Sequence, residues 1–297
     1  MGVSQTASHL VFTQVIDGIR EGFRREGYTE GKDIIIDIQN GQGDQNINQA
    51  IAQKFSSTKG DYNLFLTLGT GASQAMVNLI KDKPIIFAAV TDPVFAKLVQ
   101  SNEMPGANVT GTTDVTDYRA QLNLFKRVVP TLKKIGILYN PGEINSISGL
   151  KNTEMIAKDL GLEVITTPIN NTNDILNSAK SIANKVDGVF ILPDNTLLAG
   201  QESIMRVMNE NKKPVFAFDE TGVKVGGLIS IGTNYEKLGE RSARMAVRVL
   251  KGDATATMPV EGAGQGEINL FINQKTADLL GIEIPEDILK QTKQIYK

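Results

Sequence analysis

The side chains able to do chemistry in this chain are mostly acids, amides and hydroxyls, and they gather at or just beyond apolar runs. Ser4, Gln5 and Thr6 end the first run, Gly69, Thr70, Gly71, Ala72 and Ser73 follow Tyr62–Leu68, and Thr91 and Asp92 follow Pro84–Val90. A second series repeats the habit, with Tyr139, Asn140, Asn145 and Ser146, then Asp194, Asn195 and Thr196, then Phe218, Asp219 and Glu220. None of these positions is Arg or Lys. A site for phosphate or a dicarboxylate normally recruits a guanidinium. Small hydroxyl residues ahead of a helix instead leave backbone N–H groups free to hold an anion. Together with nearby acids they suit a zwitterion. Its carboxylate is expected at helix N-termini, with Thr70 and Ser73 at one of them. Its ammonium is expected at Asp219, with Asp194 the alternative. Phe12, Phe95, Tyr139 and Phe218 supply apolar or aromatic walls.

Each position also has a plainer role. A hydroxyl or acid after a strand caps its own helix, and an aromatic fills a core. The glycine-rich stretch Leu68–Gln74, LGTGASQ, is neither G-x-G-x-x-G nor a P-loop with its Lys. It either contacts a small anion through its backbone or packs a strand tightly onto a helix.

Composition narrows the function. The chain has no cysteine and a single histidine, His9, so disulfides, thiolate chemistry and a histidine-rich zinc site are excluded. A Ser-His-Asp triad would have to use His9, which reads as a polar residue opening a helix. No nucleophile-base pair, metal cluster or cofactor loop is visible, so neither an enzyme nor a cofactor or metal is expected. The 31 basic and 33 acidic residues give a net charge of −2, without the basic footprint that nucleic acid usually requires. No apolar run approaches the roughly 20 residues of a membrane span. With 41% hydrophobic and 22% charged residues over 297 positions, the chain reads as globular, with length for one large domain or two ordinary ones.

Along the chain, apolar residues at helical spacing alternate with β-branched runs. The spacing predicts a strand at Gly2–Gln5, a helix capped by Ser8, a strand over Asp33–Asn40, a helix through Ile47, Ile51 and Phe55, and a buried strand over Tyr62–Gly69. A helix from Thr70 and a strand ending at Thr91 complete the set. The order then repeats. Strands fall at Lys133–Pro141, Leu162–Ile169 and Asp187–Asp194, helices begin near Asn145 and Asn171, a third runs through Ile204, Val207 and Met208, and KPVFAFDE closes the series. KPIIFAAVTDP from Lys83 and KPVFAFDE from Lys213 are the same phrase, with their prolines 130 positions apart. Two copies of a β-α-β-α-β-α-β layer imply an α/β protein of two similar doubly wound parallel-sheet lobes joined by a hinge, with right-handed crossovers. Ligands in such sheets sit beyond the carboxyl ends of the strands. That is where the polar residues gather.

With those residues in place, the chain resembles the ABC-transporter substrate-binding proteins related to the bacterial tryptophan- and phenylalanine-binding lipoproteins. The matching phrases are GFRREGYTEGKDIIIDIQNGQGDQ, KPIIFAAVTDPVFAKLV, PGANVTGTTD, IGILYNPGEINS, PDNT and KTADLLGIEIPEDIL, running from Gly22 to Leu289. Two stretches depart from the family's habit: SHL at Ser8–Leu10 where Glu-His-Pro is frequent, and TGASQ at Thr70–Gln74 where T-P-A-A-Q is frequent. The resemblance implies the periplasmic-binding-protein type I fold, a ligand cleft between two lobes, and delivery of an amino acid-like solute, aromatic or bulky apolar, to a membrane permease and ATPase. It also implies an exported protein, periplasmic or lipid-anchored, with its leader absent from this sequence. A monomer is expected. The competing reading is the effector-binding domain of a transcription regulator of the same fold, although no helix-turn-helix precedes the first strand.

The lobes are expected to comprise residues 1–113 with 233–257, and 114–232 with 258–297. The first crossing follows Asn108–Asp114, the second falls near Leu228–Tyr235, and the helix from Glu236 to Leu250 returns to the first lobe. TMPVEGAGQGEINLFIN then crosses back. Gly106, Gly111 and Gly232 read either as hinge punctuation or as plain turns.

Overall fold

Each alternation of apolar pattern becomes an element in the computed structural model, which describes residues 1–264 and 266–297. The first half runs β1 (Gly2–Gln5), α1 (Leu10–Arg25), β2 (Asp37–Asn40), α2 (Gln45–Ser57), β3 (Phe65–Leu68), α3 (Thr70–Leu79), β4 (Ile85–Val90) and β5 (Val109–Thr113). The second runs α4 (Tyr118–Val128), β6 (Lys134–Tyr139), α5 (Ile144–Asp159), β7 (Glu163–Pro168), α6 (Ile175–Ala183), β8 (Gly188–Phe190), α7 (Asn195–Ala199), α8 (Gln201–Glu210), β9 (Val215–Phe216), α9 (Glu220–Lys224) and β10 (Ile229–Thr233). After these come α10 (Tyr235–Leu250), β11 (Ile268–Asn273), α11 (Gln274–Leu280), α12 (Glu286–Gln291) and β12 (Gln294–Tyr296).

The chain divides into two units. Unit 1 is Met1–Val115 with Asn234–Glu267, and unit 2 is Thr116–Thr233 with Ile268–Lys297. The sheet of unit 1 has the order β2-β1-β3-β4-β5, all parallel. Helices α1 and α10 pack together on β4, while α2 and α3 pack together and reach β1. Its interior is filled by fully buried Phe23, Phe55, Phe65 and Phe87. Unit 2 repeats that order as β7-β6-β8-β9-β10, then adds β11 antiparallel to β10, and β12 beyond it. Its core gathers Phe125, Phe190 and Phe216 with Ile135, Ile137, Leu192 and Ile272. The doubled phrase Lys83/Lys213 is thus β4 and β9, equivalent fourth strands.

Local differences from the sequence reading have physical causes. The strand expected over Asp33–Asn40 is paired only over Asp37–Asn40, because residues 29–34 close a turn in which Gly31 has φ +84° and its N–H bonds Ile34 O. Ile35 is left 75% exposed, whereas a buried strand would have hidden it. Ser8 does not cap α1; His9 does, its Nδ1 accepting the Val11 N–H at 3.2 Å. Gly111 lies inside β5 rather than at a hinge, and a Cβ there would stand 2.0 Å from Phe87 O.

The expected boundary at residue 257 also moves. Residues 258–267 belong to unit 1 because they run along the outer edge of β5 and satisfy it: Thr110 Oγ1 bonds Met258 O at 2.7 Å, Glu261 N bonds Gly111 O at 3.0 Å, and Thr113 N bonds Glu261 O at 2.9 Å. The crossings therefore follow Val115, Thr233 and Glu267, rather than residues 113, 232 and 257. Gln265, within the predicted crossing segment, lies outside the described residues.

The tightest packing in unit 1 is where α1 meets α10. A Cβ on Gly18 would lie 2.0 Å from Glu236 O, one on Gly22 2.6 Å from Ala243 Cβ, and one on Gly239 2.1 Å from Val15 O. Backbone faces backbone, so no side chain can rotate away. Gly18→Ala and Gly239→Ala should each lower stability by about 2 kcal/mol or more, the upper part of the range for overpacked cores. Gly60→Ala, which meets nothing within 4 Å, should stay within about 0.5 kcal/mol of wild type in urea unfolding.

Candidate functional site

In a sheet of order 2-1-3-4-5 the strand order reverses between the first and third strands, and ligands favour the crevice beyond their carboxyl ends. In unit 1 that point lies between β1 and β3. Thr6, just past β1, donates from Oγ1 to Leu68 O at 2.8 Å and accepts the Ala72 N–H at 2.9 Å, so one hydroxyl ties the first strand to the start of α3. Gly69 makes the turn at φ +81°, and a Cβ there would meet Phe12 Cζ at 2.7 Å and Thr6 Oγ1 at 2.9 Å. A Cβ on Gly71 would meet the amide of Gln45 at 3.2 Å. The N-cap residue, Gly69, has no side chain to cap α3, and Thr6 Oγ1 takes the Ala72 N–H. The first turn of α3, Thr70–Gly71, thus presents N–H groups at the positive end of a ten-residue helix, with Phe12, Thr6 and Gln45 around it.

The other unit 1 candidates divide. Ser73 does not face outward: its Oγ donates to Gly69 O at 2.7 Å and meets Thr67 Oγ1 at 2.8 Å, which corrects its expected role as an anion ligand. Thr70 and Ala72 are buried in the same turn. Ser4 is fully buried in β1, its Oγ without a partner, and Gln5 folds its amide back onto Ala7 O. Thr91 accepts the Thr113 hydroxyl at its carbonyl, 3.1 Å. Asp92 holds the Phe95 N–H at 2.9 Å, capping the turn after β4.

In unit 2 the equivalent point, between β6 and β8, is built from acids. Asp194 is completely buried and fully engaged: Oδ2 accepts Asn140 N–H and the Ser146 hydroxyl, both at 2.6 Å, and Oδ1 accepts Leu197 N–H at 2.9 Å. Glu143 lies beside it and accepts from the N–H and side-chain amide of Asn195, from the N–H and hydroxyl of Thr196, and from Asn145 Nδ2. Burial, then the neighbouring Glu143 charge, pushes the Asp194 carboxyl up to about 7, against the bonds from Ser146, Leu197 and Asn140. Asp194 is therefore a structural hub rather than the alternative ammonium partner. Asn145, Ser146 and Asn195 belong to the same network, with Asn145 also bonding Pro193 O at 2.7 Å. Tyr139 ends β6, half-buried.

Asp219 caps α9, its Oδ1 accepting Gly222 N–H at 3.0 Å and the Thr221 hydroxyl at 2.6 Å. Its Oδ2 is buried without a partner. Phe218 precedes it, and Ser230 Oγ and Thr233 Oγ1 on neighbouring β10 are likewise buried and unsatisfied. Buried polar atoms left open are uncommon, and Asp219 and Thr233 carry two of them at the carboxyl ends of β9 and β10.

Two acids escape the sequence reading. Glu143 sits in the plain loop NPGE, and its partners lie 52 and 53 positions away. A glutamate just ahead of a helix is the available signal. Asp114, the last letter of GTTD, reads as hinge in the sequence. It is 7% exposed, Oδ2 accepts the Tyr235 hydroxyl at 3.2 Å, and Oδ1 has no partner. Burial lifts its carboxyl to about 6, opposed by hydrogen bonds from Thr91 and Tyr235. Among the described residues no group of three or more His, Cys, Asp and Glu is placed to hold a metal.

The Asp114 shift fixes a pH dependence. A carboxyl whose folded pKa is raised binds more protons in the folded state, so its charge destabilises the fold increasingly as pH rises from the unfolded value near 4 to the folded value. Asp114→Asn, which removes the charge and keeps the shape, should gain little near pH 4 and about 2–3 kcal/mol above pH 7. Thermal melts of the ligand-free proteins across pH 4–8 check this; a gain independent of pH would contradict it.

Comparison with known proteins gives this geometry a context. The family model described as ABC transporter substrate binding protein matches residues 1–296. A tyrosine-binding protein of Clostridioides difficile strain R20291 is 36% identical over 294 residues, 99% of this chain and 84% of that protein. A crystal structure of an ABC domain in complex with L-Trp from Streptococcus pneumonia is 34% identical, covers 99% of this chain and 98% of its own, and superposes with a TM-score of 0.94. The ligand-free, open structure of a Clostridium difficile substrate binding protein with adhesive properties is 33% identical, covers 100% and 98%, and gives 0.75. The chain therefore belongs to the ABC transporter substrate-binding proteins of periplasmic-binding-protein type I fold, a family that binds solutes rather than catalysing reactions.

Proposed function

We propose that this protein binds an aromatic L-amino acid outside the cytoplasmic membrane and hands it to an ABC permease and its ATPase for import. The observation that carries the reading is the full-length likeness to the protein solved with L-Trp, joined by the tyrosine-binding relative. The geometry supports a zwitterion. The N-terminus of α3 offers the N–H groups of Thr70 and Gly71 to a carboxylate. The open oxygen of Asp219 offers an acceptor to an ammonium, and Phe12 and Phe218 offer apolar walls.

A thermal-shift screen tests the proposal. Tyrosine, tryptophan or phenylalanine should raise the melting temperature, by an amount equivalent to about 2.7 kcal/mol at a hundred times Kd, while sugars and inorganic phosphate leave it unchanged. Tyramine, which lacks the carboxylate, should bind far more weakly than tyrosine. Stabilisation by sugars alone, or equal binding of tyramine, would remove the zwitterion site.

A further inference from the structure

Resting on the amino acid-binding reading, we propose that Asp114 is a recognition residue of unit 1 that accepts a hydrogen bond from the ammonium group of the bound amino acid. Its position is the first argument. Asp114 directly follows β5, in the row of strand ends where β3 opens α3 and β4 ends at Thr91. From β3 to β5 is two strand spacings, about 10 Å. An α-amino acid carries both charged groups on one carbon, and charge-assisted hydrogen bonds of about 2.8 Å at either end let it reach across most of that distance. That reach lets an amino acid whose carboxylate sits at Thr70–Gly71 place its ammonium on the β5 side.

The second argument is the state of the side chain. Asp114 is more than nine-tenths buried, Oδ2 is held by the Tyr235 hydroxyl, and the Thr91 side chain is a second favourable neighbour of the carboxylate. These donors fix its orientation but are neutral. Oδ1 is buried and has no partner. If Asp114 served only to join Thr91 to Tyr235, a neutral amide would do so without the burial that pushes the carboxyl up to about 6. An oriented carboxylate with an open oxygen is what a cation requires, and a bound ammonium would satisfy the orphan atom and compensate the buried charge. The acid then favours the complex at the expense of the empty protein, a common exchange at binding sites.

Titration calorimetry with tyrosine and with 3-(4-hydroxyphenyl)propionate, the same molecule without its amine, tests the assignment on wild type, Asp114→Asn and Asp114→Ser. Ligand-free melts establish that each variant folds. Both variants should lose tyrosine affinity on the order of 30-fold or more, and should bind the amine-free acid as well as wild type does, or better. If wild type binds tyrosine but the variants lose affinity for both molecules equally, or for neither, the assignment to Asp114 fails and the amino acid reading stands. If wild type binds tryptophan instead, tryptophan and indole-3-propionate form the pair. If neither variant folds, Asp114 is structural and the assignment fails. Wild type that binds no amino acid overturns both readings.

Discussion

The close contact of α1 with α10 is the constraint on which the rest of unit 1 depends. Helix α10 reaches unit 1 only after the chain has built most of unit 2, and it is received on Gly18 and Gly22, where backbone replaces side chain as the packing surface. Because α10 is pinned, so are the places where the chain leaves and re-enters. Polar groups then bind those places together inside the unit. Asp114, one residue before the first crossing, takes the hydroxyl of Tyr235, two residues after the second. Asn234 N–H bonds Glu267 O at the third, and Arg241 holds both Glu261 and Glu267. Three strands of chain that belong to different parts of the sequence thus emerge from one tied bundle.

The two units solve the same topology with different chemistry at the reversal of strand order. In unit 1 the join between first and third strands is made by a threonine hydroxyl, which takes the Ala72 N–H, and a glycine with positive φ, which brings no side-chain cap of its own to the helix end. In unit 2 the join is made by two buried carboxylates that take up nearly every nearby donor, including the first N–H groups of α7. The first arrangement is open to an anion and the second is closed to one. An internal repeat keeps its fold while its strand ends differ: unit 1 pairs the start of α3 with an acid that has an open oxygen, Asp114, and unit 2 has the open oxygen of Asp219 beside its saturated carboxylates.

Much of this is legible in the sequence because the relevant signals are local. Apolar periodicity locates β1, β3, β4, α1 and α10, and the repeated phrase at Lys83 and Lys213 exposes the doubling. Reading the residues after each strand picks out positions such as Thr70, Thr91 and Asp219 that the structure does put at strand ends, since strand ends in a parallel sheet share one edge. What fails depends on partners far along the chain. Asp194 looks available because nothing local shows Asn140 and Ser146 converging on it from 54 and 48 positions away. Ser73 looks like a ligand donor because its bond to Gly69 O is a matter of rotamer, not of residue type. Segment 258–267 goes to the wrong unit because the need of β5 for an edge partner is invisible until the strand order is known.

The end of β4 carries a feature that no pattern announces. Ala89 is buried with φ +55°, and the pairing of β4 with β5 slips between Phe87 and Val90, so that β4 spends one residue more than β5 over the same distance. A non-glycine residue in that region costs on the order of 1–2 kcal/mol, and a bulge turns the side chains beyond it relative to an unbroken strand. Thr91 comes next along the chain after Val90; its carbonyl takes the Thr113 hydroxyl and its own hydroxyl steadies Asp114. Gly111 is required opposite the bulge, since a Cβ there would strike Phe87 O. Backbone strain, a glycine without room for a side chain and a buried carboxylate with an open oxygen therefore occupy one corner of the sheet. Each alone weakens the fold. Their concentration in one corner, in a unit otherwise well satisfied by its core, marks where the sheet gives up stability.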